Sequence, residues 1–203
     1  MKRLHRPDLF QWSAYQTHLD IDFNSLLWVR PEGNVLFDPL PLSDHDAKQL
    51  LDLGGVKAIL VTNSRHIRAA AQIAEGYSAA IFGPAGEAET FPLSTAGLLG
   101  EGDEPFRGLR VLALSGSKTP GELAFVLDET TLICGDLVRS HRAGHLQLLR
   151  EQQGLSDPKA AAAEVARLAA LPKIEAVLVG DGFCEFRDGA KRLAELRDEL
   201  AGA

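Results

Sequence analysis

The chain is poor in the residues that mark secreted and membrane proteins. It contains only two cysteines, Cys134 and Cys184, among 203 residues, and two cysteines fit reduced cytoplasmic thiols better than a disulfide framework. It has no run of about 18 apolar residues, so no membrane span is predicted. The charged first residues are not followed by an apolar segment, so we expect no signal peptide and a cytoplasmic location.

Basic residues are also in the minority. The chain carries 28 acidic and 21 basic residues, for a net charge of −7. A general nucleic-acid binder needs a basic face that displaces counterions, so we expect neither a nucleic-acid nor a membrane partner. This balance still leaves room for a local basic pocket. The apolar content of 45% is that of a globular protein, and the length suits one good-sized core, so we predict a single domain over residues 1–203.

Apolar runs and turn signals predict eight strands and four helices. A helix should begin after Ser43, because Asp46 completes a capping box, and another should begin at Pro158, after the capping residue Asp157. The segment 83–107 is rich in Gly, Pro, Ser and Glu and predicts loops with short strands. The strands are predicted at 25–30, 35–38, 56–61, 79–82, 109–114, 122–127, 131–134 and 176–179, and the other helices at 67–74 and 188–200.

The order of these elements indicates an α/β (α+β) protein. Strands come first and are followed twice by strand and helix alternation, which fits a four-layer αββα sandwich with helices outside two packed sheets. A doubly wound sheet is the alternative, because alternation alone does not separate the two architectures. The hairpins expected at 25–38 and 122–135 favour the sandwich.

Four polar segments follow or precede predicted strands, where sites collect. In order along the chain, these segments resemble the landmarks of the metallo-β-lactamase-fold family, and the resemblance runs roughly from residue 25 to residue 182. The resemblance implies the αββα sandwich of that family. The segments are Thr62-Asn63-Ser64-Arg65-His66, Lys118-Thr119-Pro120-Gly121-Glu122, Cys134-Gly135-Asp136 and Gly180-Asp181-Gly182.

The departures from the family pattern concern its metal ligands. In this chain the loop that corresponds to the family's Thr-His-x-His-x-Asp-His is two residues shorter. Asn63 occupies the position of a ligand histidine, and His66 matches the last histidine. Lys118 replaces the histidine of the His-Thr-Pro-Gly segment, or Ser117 replaces it if the alignment gap is placed differently. By the resemblance, Asp136 is the aspartate that bridges two metals and Asp181 replaces a final histidine.

These replacements argue against the first metal site of the family, which uses three histidines. Asn63, Arg65 and Lys118 cannot reproduce them, and an ammonium group repels a dication. Two alternatives remain for the second site. His66, Asp136 and Asp181 would form a facial triad for one Zn, Mn or Fe ion. Otherwise no metal binds, and Lys118 with Arg65 supplies the positive charge that pairs with the two buried carboxylates.

Each alternative predicts a different function. The resemblance implies a hydrolase of a small ester, thioester or phosphoester, in which Asp136 orients water and Lys118 stabilises negative charge. The other function is a metal-free protein that binds or senses a small anionic molecule. In either case Arg65, Asn63 and His141 are the candidate substrate-binding residues. His141 lies in the basic patch 139–142, which predicts either a solvated loop or an anion-recognition loop, and a homodimer through a sheet edge or the 139–150 loop is compatible with the sequence.

Overall fold

The computed structural model describes residues 1–202, which contain thirteen strands and four helices. Three short 3-10 turns lie at Ser64–His66, Ala85–Glu87 and Glu151–Gln153. The helices are α1 (Asp44–Asp52), α2 (Ala70–Tyr77), α3 (Pro158–Ala169) and α4 (Gly189–Ala201). The strands are β1 (Lys2–Arg3), β2 (Leu9–Gln16), β3 (Ile21–Trp28), β4 (Val35–Phe37), β5 (Ala58–Leu60), β6 (Ala80–Pro84), β7 (Gly97–Leu99), β8 (Leu109–Ala113), β9 (Leu123–Leu127), β10 (Thr131–Cys134), β11 (Val138–Arg142), β12 (His145–Leu148) and β13 (Ala176–Val179).

The strands form two main sheets. The first sheet contains β1 to β7 in sequence order, antiparallel from β1 to β4 and parallel from β4 to β7. The second sheet has the order β13-β10-β9-β8, and only the β10 and β13 pair is parallel. Strands β11 and β12 form a separate antiparallel ribbon.

Three apolar clusters separate four layers. One cluster packs α1 and α2 against the first sheet, and another packs α3 and α4 against the second sheet. The middle cluster lies between the sheets, where the rings of Phe37 and Phe125 meet edge to face at 5.3 Å. Each sheet is therefore covered on both faces, which explains the continuous apolar runs of its central strands. The predicted αββα sandwich is confirmed.

Local sequence signals explain several element boundaries. The Ser43 hydroxyl accepts the backbone N–H of Asp46 at the start of α1, and the Asp157 carboxylate accepts two backbone N–H groups at the start of α3. Asp128 and Glu129 both adopt positive φ, at 47° and 60°, in the three-residue loop 128–130, where the Thr130 N–H donates to the Leu127 carbonyl at 3.1 Å. The predicted hairpin of β9 and β10 is thus present.

Two regions differ from the sequence prediction. Strands β1 and β2 were not predicted. β1 is two residues long and pairs with β2. The basic patch 139–142 lies on β11 instead of in a loop, and Arg139 is only 4% exposed. Composition predicted a solvated loop or an anion-recognition loop there, whereas in the structure the guanidinium of Arg139 is buried in ion pairs with Asp136 and Asp181. Among residues 1–202, no helix is long and apolar enough to cross a membrane.

The loops at one edge of the sandwich converge. The segment after β5 meets the turn before β9, since the Leu123 N–H donates to the Thr62 carbonyl at 2.8 Å. The segments after β10 and β13 also meet, since the Gly180 N–H donates to the Cys134 carbonyl at 3.1 Å. A Cβ on Gly135 would lie 2.7 Å from the Thr62 hydroxyl oxygen, so this close approach requires glycine. All four polar segments of the sequence therefore meet at this edge.

Candidate functional site

Asp136 is the centre of a buried cluster of charges. Its Oδ1 accepts hydrogen bonds from Lys118 Nζ at 2.6 Å and from Arg139 Nη2 at 2.7 Å. Its Oδ2 accepts a hydrogen bond from Asn63 Nδ2 at 3.3 Å and lies 3.5 Å from His66 Nε2. Burial raises the pKa of this carboxyl, but His66, Lys118 and Arg139 outweigh burial and hold the pKa at about 2. Asp136 is therefore ionised at neutral pH and fully engaged.

Arg139 joins the two aspartates of the site. Its Nη2 lies 2.7 Å from Asp136 Oδ1 and 2.8 Å from Asp181 Oδ2, so one guanidinium nitrogen bridges two carboxylates. The second oxygen of Asp181, Oδ1, is buried and has no hydrogen-bond partner within residues 1–202. Arg68 Nη2 lies 3.8 Å from that oxygen, which is within ion-pair range but beyond hydrogen-bond range.

His66 lies between two carboxylates. Its Nδ1 is 2.9 Å from Asp38 Oδ2, and its Nε2 faces Asp136. Asp38 is held in turn by the backbone N–H and the hydroxyl of Thr62, at 2.8 and 2.7 Å. Burial and the nearby Arg68 lower the pKa of His66, but Asp136 and Asp38 raise it further, so the net direction is upward. Asp38 thus fixes the ring and favours its charged form.

Glu122 is a buried carboxyl beneath the cluster that the sequence analysis did not assign to the site. It is 0% exposed and accepts the backbone N–H groups of Asp136 at 2.9 Å and Leu137 at 2.7 Å, and the hydroxyl of Ser117. Burial and the charge of Asp136 raise its pKa to about 7, although the Ser117 and Leu137 hydrogen bonds act in the opposite direction. The sequence feature that could have identified Glu122 is a glutamate at the start of an apolar strand.

The residues present do not fit a metal ion. A metal would need the lone pairs of Asp136, Asp181 and His66, but two cations already bind Asp136 Oδ1 and Arg139 binds Asp181 Oδ2. Asp136 and Asp38 raise the pKa of His66, which favours the protonated ring, whereas a metal ligand has to be the neutral ring. Across the described residues 1–202, no group of three or more His, Cys, Asp or Glu side chains is arranged to hold a metal.

A small pocket of about 340 Å³ opens onto this cluster. Arg65 is exposed at the pocket and forms no salt bridge within the described chain, so Arg139 and not Arg65 is the second cation on the carboxylates. Asn63 is 0% exposed; its side-chain oxygen accepts the backbone N–H of Arg65 at 2.9 Å. The pocket is lined by Phe23, Arg65, His66, Lys118, Asp136, Gln153, Gly154 and Asp181.

The structure brings most of the predicted site residues together. His66, Lys118, Asp136 and Asp181 line one pocket, with Asn63 buried beneath them. The predicted substrate-binding residue His141 is exposed on β11 and is not part of the pocket lining. Burial and Arg139 lower its pKa. Arg139, Glu122 and Asp38 are the further residues that shape the site.

An αββα sandwich with its polar site where the loops of both sheets meet is the architecture expected of the family that the four polar segments resemble. The model of that family, described as the metallo-beta-lactamase superfamily, matches residues 1–200. The chain therefore belongs to the metallo-beta-lactamase superfamily. No curated protein matches its sequence.

Solved structures share this fold. A metallo-beta-lactamase from Pontibacter korlensis is 17% identical, with a TM-score of 0.76 over 98% of this chain and 97% of that chain. A metallo-beta-lactamase family protein from Thermus thermophilus is 20% identical, with a TM-score of 0.71 over 97% of this chain and 80% of that chain. The protein TTHA1623, solved in a di-iron-bound form, is 25% identical, with a TM-score of 0.68 over 91% of this chain and 98% of that chain.

Proposed function

We propose that this protein is a metal-free binding or sensing protein for a small anionic molecule, built on the hydrolase-like fold of its superfamily. The alternative is a hydrolase of a small ester, thioester or phosphoester with at most one Zn, Mn or Fe ion. One observation favours the first function. The carboxylates of Asp136 and Asp181, which a metal would need, are held by Lys118 and Arg139 at 2.6 to 2.8 Å.

The energetics of the cluster support this choice. Buried charges are costly unless they are paired, and removing one partner of a buried pair leaves an uncompensated charge. A dication at Asp136 would have to displace the ammonium of Lys118 and the guanidinium of Arg139. Since the side chain of Arg139 is only 5% exposed, it has little route to solvent. Metal binding would therefore place like charges side by side in a buried site.

The pairing of Asp136 with Lys118 also weakens the catalytic roles predicted for these two residues. A general base works best when its pKa lies near the operating pH, and the pKa of Asp136 is about 2. The predicted catalytic roles of Asp136 and Lys118 require groups that are free to act on water and substrate. Both groups are instead paired with each other at 2.6 Å.

The free charge of the pocket is positive. Arg65 is exposed and has no carboxylate partner in residues 1–202, and the side chain of Lys118 is 25% exposed. Phe23 adds an aromatic wall. The volume of about 340 Å³ lies at the lower end of the range for small-molecule sites. An anion beside Arg65 and Lys118 would meet favourable charge without breaking the pairs below it.

Metal analysis and calorimetry test the proposal together. We expect no bound metal after incubation with Zn²⁺, Mn²⁺ or Fe²⁺, and we expect binding of small carboxylates that Arg65→Ala weakens by about tenfold. Arg142→Ala, which removes an exposed arginine outside the pocket, is the matched control. One metal ion per chain, lost in His66→Ala, would instead establish the hydrolase alternative. The homodimer and the cytoplasmic location stay predictions.

A further inference from the structure

The two aspartates of the pocket differ in how fully they are satisfied. Asp136 has hydrogen-bond donors on both oxygens. Asp181 is 3% exposed, yet its Oδ1 has no hydrogen-bond partner in the described chain, and Asp181 lines the pocket. A buried carboxylate oxygen without a donor is costly, so native structures satisfy such atoms with protein, water or ligand. This oxygen is therefore an unsatisfied acceptor in the wall of the pocket, which a donor packed closely against Asp181 would satisfy.

The charges around the pocket determine which kind of donor fits. Asp181 Oδ1 lies 3.8 Å from Arg68 Nη2, and Asp181 Oδ2 lies 2.8 Å from Arg139 Nη2, so two guanidinium groups flank this carboxylate. An ammonium group of a ligand at Oδ1 would lie beside both and would be repelled. A neutral hydroxyl donates a hydrogen bond without adding charge.

Resting on the proposed function, we propose that the ligand is a small hydroxy acid. Its carboxylate binds beside Arg65 and Lys118, and its hydroxyl donates to Asp181 Oδ1. Phe23 contacts the carbon chain. The pocket thereby selects a hydroxy acid over the plain acid of the same length, because only the hydroxyl satisfies the buried oxygen. Sites built to bind a hydroxyl discriminate strongly against analogues that lack it.

Matched pairs of acids on the unmodified protein test this directly. The pairs are glycolate with acetate, lactate with propionate, and 3-hydroxybutyrate with butyrate, measured by calorimetry. In at least one pair the hydroxy acid should bind about tenfold tighter or more. Glycine and alanine, which carry an ammonium in place of the hydroxyl of glycolate and lactate, should bind more weakly than those two hydroxy acids.

Asp181→Asn checks which atom makes the selection. The amide oxygen can keep the hydrogen bond from Arg139, so the amide nitrogen replaces Oδ1 and offers a donor where an acceptor is needed. The variant should bind each hydroxy acid no better than its plain partner. Asp22→Asn, an exposed aspartate on β3 outside this pocket, should keep the preference.

The outcomes separate this inference from the proposed function. Equal binding of hydroxy and plain acids, with both weakened by Arg65→Ala, would overturn the hydroxy-acid inference and leave the anion pocket standing. That result would mean that water satisfies Asp181 Oδ1. Tighter binding of the amino acids would also overturn it. Binding of no acid in any pair would overturn the inference and the proposed function together.

Discussion

The apolar core between the two sheets and the charged cluster at its edge are both buried, but different forces hold them together. In the core, Phe37, Phe125 and Ile133 are 2% exposed or less and contribute through non-directional burial. In the cluster, Asp136 is equally buried but depends on specific donors at fixed distances. The core therefore tolerates similar side chains, whereas each member of the cluster depends on the charge of its neighbours.

Removing the bridging guanidinium should have the largest effect. Arg139→Ala leaves Asp136 and Asp181 short of a cation, and breaking a buried pair costs about 3 to 5 kcal/mol. We expect that loss in the free energy of unfolding, measured with urea at pH 7. Removal of Arg139 should raise the pKa of Asp136, so partial protonation of that carboxyl at pH 4 should make the penalty smaller there.

Arg142→Ala is the control on the same strand. That arginine is exposed, so its removal should change stability by less than about 0.5 kcal/mol. If Arg139→Ala were as mild as this control, the cluster would not depend on the bridge, and the contrast with the core would fail.

Glu122 should have an intermediate effect on the free energy of unfolding, and that effect should depend on pH. The pKa of Glu122 is about 7 in the folded protein, whereas its ordinary value of 4.5 applies to the unfolded chain. Between pH 4.5 and pH 7 the folded state therefore keeps a proton that the unfolded state has lost. Stability should therefore fall as pH rises from about 4.5 to 7, by roughly 2 to 3 kcal/mol from this group. Glu122→Gln keeps the shape without the titration, so its stability should stay flatter over that window. Urea unfolding of both proteins at pH 5 and pH 8 measures the difference, and parallel profiles would contradict the assignment.

The smallest effect is expected in the core. Ile133→Val removes one methylene from the cluster between the sheets and should cost about 1 kcal/mol. The cost should be the same at pH 5 and pH 8, since no charge is involved. A loss that changed with pH would mean that core and cluster are coupled through β10, which carries Ile133 and leads into Asp136.

Pattern and local chemistry predicted most of the fold. The caps of α1 and α3 and the β9 and β10 hairpin follow from neighbours within a few residues, so the sequence contained their causes. β2 was not predicted, although it pairs with the next strand β3, because its residues Leu9–Gln16 show no regular alternation of apolar and polar side chains. The order of the four polar segments was enough to predict the superfamily, because the αββα topology brings those segments to one edge.

The candidate site was only partly predictable. His66, Lys118, Asp136 and Asp181 were identified by their order along the chain and share one pocket, but their roles stay predictions. Arg139 was assigned to a solvated or anion-binding patch, because nothing adjacent in sequence shows that its side chain reaches Asp181, 42 residues further on. Which cation satisfies a buried carboxylate is decided by distances of 2.6 to 2.8 Å between separate elements.

By itself the sequence determined the strand and helix types and the absence of the family's histidines, because these depend on periodicity and residue identity, and its resemblance to the family indicated the layered architecture. Only the tertiary structure decided that Arg139 bridges the aspartates, that Glu122 lies beneath them and that one oxygen of Asp181 has no donor among residues 1–202. Periodicity places a side chain on a face of its own element. Charge pairing depends on where the faces of several elements meet, and folding alone brings those faces together.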